Sequence, residues 1–336
     1  MNTFSVKQLL LLGLIIVFIS CEEDEPLFPD VSETFGIRHD KELVEYEAVA
    51  TNQSPYDSEE YPDFASVVAF SYSLDGSDNA EFVATGTLIS PEWILTAGHN
   101  FFVAEEQEAP APVSGISVLV GDDPNEPSDT YEVAELIFHP TWIAQSNDFL
   151  NGNDLCLVKL TTPITGISTA QMNLSGNETI GNTVWGCGYG DYSRQPGQDP
   201  DAFSKKHAIQ NTLDRSIDGV MSSVNGETYT GGLLAFDFDD PDGVINALGD
   251  ETVNEDEALL GDGTSGAIST AFEATTVQGD SGGPLFIRTG GAWKIAGVLS
   301  GGASNVFEGH ADSSYGDISI YISVASHRDW IESVIQ

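Results

Sequence analysis

From Tyr61 onward the chain alternates short apolar or β-branched runs with clusters of Gly, Asn, Asp and Pro. The runs lie at Ser66–Tyr72, Glu81–Ile89, Trp93–Thr96, Ile116–Val120, Val133–Phe138 and Leu155–Leu160 in the first half. A second set follows at Thr183–Trp185, Leu233–Phe238, Pro284–Ile287, Trp293–Leu299 and Ile318–Val324. Many short strands separated by turn residues predict an all-β sandwich or barrel, because helical units would need longer segments of 3.6-residue period. That period occurs at the end of the chain, where Trp330, Ile331 and Val334 predict a helix over about 325–335. No internal repeat is visible.

The amino terminus has a different pattern. Lys7 precedes an apolar run from Leu9 to Ile19, followed by Ser20 and Cys21. The run is short for a membrane span and has the layout of an export signal. It resembles a bacterial lipoprotein signal over 1–20, with Cys21 as the lipidated residue, although Phe18 is unusual for that pattern; a plain cleaved secretory signal is the alternative. Both predict an exported protein, either secreted or held at the outer membrane or cell surface. Residues 21–36, acidic and proline-bearing, read as a tether or propeptide ahead of a domain over 37–336.

Charge narrows the classes of partner. Eleven Lys and Arg against 53 Asp and Glu give a formal net charge of −42. Such a surface repels nucleic acid and anionic lipid, so no nucleic-acid partner is expected, and membrane contact is expected only through an anchor at Cys21. The acidic stretch from Asp239 to Gly266 reads as a long surface loop. Asp237, Asp239, Asp240 and Asp242 lack EF-hand register, so a solvated acidic loop is the favoured reading, with no metal and no cofactor expected, and a calcium-binding loop of another kind is the alternative. Cys156 and Cys187 read first as buried hydrophobes, with a bridge between them left open.

Three separated segments carry nucleophile chemistry. In Gly279-Asp280-Ser281-Gly282-Gly283 the glycines let the backbone turn tightly, expose the Ser281 hydroxyl, and aim the N–H groups of Gly279 and Ser281 at one point. A serine hydroxyl needs a base, and His99 at the end of Leu95-Thr96-Ala97-Gly98-His99 is the candidate. Asp154, at the edge of the apolar run Leu155–Leu160, is placed to orient that base.

These segments, in the order His, Asp, Ser, resemble the trypsin/chymotrypsin family of serine endopeptidases. The likeness extends to Gly86–His99, to His139-Pro140-Thr141-Trp142 and to Val184-Trp185-Gly186-Cys187-Gly188, and covers roughly 61–335. It implies two packed six-stranded antiparallel β-barrels, chymotrypsin-like, over about 61–170 and 180–324, with a C-terminal helix. It implies that His99, Asp154 and Ser281 meet in the cleft between them and act on protein or peptide substrates. Ser300 resembles the residue that steadies the catalytic Asp and, with Gly301 and Gly302, lines the substrate groove. Thr275 takes the floor of the specificity pocket and Ser319 its back, which implies a preference for uncharged side chains; Asp317 is near enough in sequence to intrude.

Asp280 resembles the residue that pairs with an ammonium freed by propeptide cleavage, which implies an activating protease. Phe35-Gly36-Ile37-Arg38-His39-Asp40 resembles the mature start of some bacterial members. Departures are Gly98 in place of the usual Ala, Asn100 in place of a disulfide Cys, and a long interval from Asp154 to Ser281. A catalytically idle binding module and a surface adhesin are the competing readings.

Overall fold

Alternation along the strands sorts their side chains into two cores. A computed structural model of the chain describes residues 35–77, 80, 82–105, 107–144, 151–192, 204–249, 260, 265–304 and 310–336. The signal, Cys21 and all but the last two residues of the tether lie outside them.

Six strands close an antiparallel barrel: β1 (Val67–Tyr72), β2 (Phe82–Ser90), β3 (Trp93–Thr96), β4 (Ile116–Val120), β5 (Asp129–Phe138) and β6 (Cys156–Leu160). Their order around the barrel is β1-β2-β3-β6-β5-β4. Period 2 decides which residues fill it. Val68 and Phe70 of β1, Ile94 of β3, and Cys156, Val158 and Leu160 of β6 belong to one cluster. Their neighbours Val67, Ala69, Leu95, Leu155 and Leu157 face the opposite way, into the larger core shared with the second sheet. Phe70 and Phe101 are fully buried and meet edge to face; each contributes roughly 2–3 kcal/mol by leaving water.

The second sheet holds β7 (Thr183–Gly188), β8 (His207–Thr212), β9 (Arg215–Val224), β10 (Glu227–Asp237), β11 (Pro284–Thr289), β12 (Ala292–Ala303) and β13 (Ile318–Ser323). It runs β8-β7-β11-β12-β13-β10-β9, one strand more than the six expected. The added strand, β9, is mostly exposed and carries Asp218, Gly219 and several serines, so no apolar face marks it in the sequence. It forms a hairpin with β10. The sheet curls until β8 and β10 meet, through Asp214 N–H to Ala235 O (3.0 Å) and the Asn211 amide to Asp237 O (2.8 Å).

Helix α1 (Leu43–Ala50) precedes the first barrel and buries Tyr46, Val49 and Ala50 in the shared core. A short helix α2 (Pro140–Ala144) follows β5. The chain ends in a 3-10 turn over Ala325–His327 and helix α3 (Arg328–Ile335), which buries Ile331 as its spacing predicts. Cys156 and Cys187 are both buried and free; no bridge joins them. Burial pushes both thiols well up from their ordinary value.

Candidate active site

Local sequence sets the shape of each segment that reaches the boundary between the sheets. β3 ends at Thr96, and the turn after it presents His99 and Asn100. β6 begins at Cys156, and the preceding loop carries Asn153 and Asp154, both fully buried. Between Thr275 and Pro284 the chain turns back through Gly279 (φ +104°) and Gly282 (φ +83°). A side chain at Gly282 would run into the Thr96 hydroxyl and the Thr85 carbonyl, so the close approach of this loop to the first barrel requires glycine there.

Asp154 is the anchor. Its Oδ1 accepts from the backbone N–H of His99 (2.8 Å), and its Oδ2 lies 2.6 Å from His99 Nδ1. Oδ2 also accepts from the Ser300 hydroxyl at 2.6 Å. A carboxylate with these partners fixes the ring and its tautomer: Nδ1 donates, and Nε2 keeps its lone pair. The Asp154 loop is itself clamped from outside the predicted motifs. Asn153 donates to Ser222 Oγ of β9 (3.0 Å), and His327 Nε2 pairs with Asn153 Oδ1 (2.9 Å). The extra strand and the C-terminal turn thereby hold the loop that carries Asp154.

Ser281 comes to the same place by main-chain contacts. Its carbonyl accepts from Thr85 N–H (2.9 Å) and from the Asn100 amide (3.1 Å), one residue beyond His99. Thr85 also donates its hydroxyl to Gly279 O at 2.8 Å. Thr85 and Asn100 are further ties to the first barrel that the sequence motifs do not reveal. Among the described residues neither the Gly279 nor the Ser281 N–H has an internal acceptor, so both are available at the loop surface.

Beside Ser281 opens a cavity of about 260 Å³, bordered by Thr275, Gln278, Gly301, Gly302 and Asp317. Gly301 leaves its wall open: a Cβ there would meet nothing. Ser319 stands behind the floor and not on the cavity surface, 3.3 Å from Thr275 Oγ1 and 3.0 Å from Thr276 Oγ1. Asp317 does reach the cavity, as its place in the sequence allowed. It is buried, accepts from Ser313 N–H (2.8 Å), and has His310 Nε2 at 3.3 Å from Oδ1. Burial, and secondarily the charge of Asp312, pushes this carboxyl up to about 8, which favours its neutral form near pH 7.

More buried acids lie behind the floor. Glu273, two residues before Thr275, is pushed up to about 7 by burial, and Asp214 up to about 9 by burial and the nearby Asp237. Burial drives Asp237 and Asp239 in the same direction. Within the acidic loop, residues 250–259 and 261–264 lie outside the described residues. Among the described residues no three His, Cys, Asp or Glu side chains gather closely enough to hold a metal ion.

Comparison with known proteins agrees with this geometry. The urokinase-type plasminogen activator of Gallus gallus is 23% identical over 273 residues, covering 78% of this chain and 52% of that protein. The chain therefore spans about half the length of this curated relative. The Trypsin family model matches residues 59–232 and 243–331, which take in the first barrel, the second sheet apart from the latter half of β10, and the segments that carry His99, Asp154 and Ser281. With that match over most of its length, the chain belongs to the trypsin family of serine proteases.

Proposed function

We propose that the chain is an exported serine endopeptidase that works through an acyl-enzyme on Ser281. The observation that carries this reading is the buried Asp154 carboxylate, bonded at once to both His99 nitrogens that face it and to Ser300, beside the Ser281 loop. Ser281 Oγ attacks a peptide carbonyl carbon while His99 Nε2 takes its proton. The Gly279 and Ser281 amides hold the oxyanion. Collapse passes the His99 proton to the leaving amine, and water then hydrolyses the ester by the same route. Asp154 keeps Nε2 as the acceptor and stabilises the imidazolium that forms.

The upward shift of the buried Asp317 carboxyl and the short, uncharged Thr275 at the floor support a pocket that favours uncharged side chains before the cut. The export layout of 1–20 and the Cys at 21 support a lipid-anchored or secreted enzyme, with 21–36 as a tether open to proteolytic removal. The test is a fluorophosphonate probe applied to wild type and to Ser281→Ala. Labelling of wild type alone is expected. Absence of labelling in both, before and after limited proteolysis near Gly36, refutes the enzyme reading and leaves the idle binding module.

A further inference from the structure

Asp280 sits next to Ser281 in the chain and is only 4% exposed. Its carboxylate organises the loop that carries the two candidate oxyanion amides. Oδ1 accepts from Gly190 N–H (2.8 Å) and Oδ2 from Val277 N–H (3.0 Å); the Tyr192 hydroxyl, which donates to Thr275 O at 2.6 Å, lies 3.2 Å from Oδ2. These bonds span the loop from Val277 to Ser281 and tie it to the chain after β7. A buried carboxylate in this position needs a counter-charge, because leaving it unpaired is strongly destabilising.

Among the described residues the one basic side chain in ion-pair contact with Asp280 is His207, at the start of β8. Its Nε2 lies 3.0 Å from Asp280 Oδ1, and the two side chains are 2% and 6% exposed. The other ring nitrogen, Nδ1, faces the Lys205 carbonyl at 3.2 Å. Both nitrogens therefore face acceptors, and an imidazolium, with an N–H on each, donates to both. Tyr192 packs edge-on against the same ring, 4.3 Å between centroids, and closes the pair from the other side.

Among the described residues little room is left for a second cation. The cavity bordered by Asp280, His207, Gly188 and Tyr321 amounts to about 10 Å³, roughly one water. Side chains at Gly188 or Gly190 would collide with the Asp280 carboxylate, so that wall is closed too. The route from the amino-terminal side is also filled. Gly36 is held by its N–H to Ser313 O (2.6 Å) and by its carbonyl to Thr275 N–H (2.9 Å). It lies against Tyr192, where even a Cβ would come within 2.5 Å of the ring. An amine freed by a cut near Gly36 would have to displace Tyr192 to reach the carboxylate.

We propose that His207 is the positioning residue that holds Asp280 and sets the oxyanion loop in the uncut chain, so that the enzyme needs no newly freed amino terminus to become active. This rests on the endopeptidase reading above. Removal of 21–36 then releases the domain from its anchor without switching it on.

The experiment uses the full chain, with the mass of the fluorophosphonate-labelled species recorded intact, and compares wild type with His207→Ala. Wild type is expected to label while uncut, and limited proteolysis near Gly36 to change the rate less than twofold. His207→Ala is expected to label about 100-fold more slowly, in keeping with the loss of one partner of a buried pair. Added imidazole is expected to restore part of the rate, which a merely structural defect would not allow. Labelling found only in cut molecules overturns the inference and leaves the endopeptidase reading intact. So does His207→Ala labelling at the wild-type rate, or a slow, folded His207→Ala that imidazole does not help. Failure of both cut and uncut wild type to label refutes the endopeptidase reading and the inference with it.

Discussion

Glu273→Gln tests the electrostatics behind the pocket floor. Glu273 is 1% exposed; its Oε2 accepts from Thr270 N–H, and its Oε1 has no hydrogen-bond partner. Burial raises the carboxyl from its ordinary 4.5 to about 7, so the folded chain binds this proton more tightly than the unfolded chain. The sign follows from linkage: stability from the bound proton is complete below pH 4.5 and is lost as pH rises through 7. At 1.36 kcal/mol per pH unit, the rise from 4.5 to about 7 is worth about 3 kcal/mol. Glutamine keeps the shape and cannot ionise. Relative to wild type, Glu273→Gln is therefore expected to be equal in stability near pH 4.5 and about 3 kcal/mol more stable above pH 7.5. Urea unfolding at pH 4.5, 6 and 7.5 measures the difference. Buried His139 and His327, pushed down to about 3 and about 4, oppose the trend on the acid side, but they are common to both proteins and cancel. A stability difference that does not change with pH would refute the reasoning.

Ser300→Ala removes a hydrogen bond to a buried carboxylate, worth about 1.5–3 kcal/mol. It is expected to lower kcat by roughly ten- to a hundredfold with KM little changed, and an unchanged kcat in steady-state peptide assays would contradict the role given to Ser300. Thr275→Asp places a carboxylate at the pocket floor next to the Ser319 hydroxyl. A peptide library should then show new cleavage after Lys and Arg; an unaltered profile would mean that the cavity beside Ser281 is not where the substrate side chain binds. Native protein should leave Cys156 and Cys187 unreacted with a thiol reagent, since burial keeps both protonated, and both should react after unfolding. Rapid modification of either in the native state would mean that one of the two cores is open.

Strands with an apolar alternation were legible one by one. β1, β3, β4 and β6 appear in the structure at or within a residue of the runs in the sequence, because a half-buried strand writes its period locally. β8 and β9 were not legible. β8 reads His-Ala-Ile-Gln-Asn-Thr, and its polar side chains are satisfied only by the segments it meets on folding, such as Asn211 on Asp237 O. β9 is an exposed edge strand whose meaning lies in what it clamps, the Asn153 side chain ahead of Asp154.

The same division runs through the candidate site. Glycines around Ser281, a histidine closing a strand turn and an aspartate opening an apolar strand are local signatures, since backbone shape and burial at one residue depend mostly on its chain neighbours. Their mutual support is not local. Ser300 reaches Asp154 across 146 residues, Asn100 reaches Ser281 across 181, and His327 reaches Asn153 across 174. Nor could the resemblance, which implied a freed ammonium on Asp280, anticipate that His207 would fill that position. A hydrogen-bond donor in a sequence has no address; which buried carboxylate it must satisfy is decided when packing excludes water and brings particular donors within reach of it.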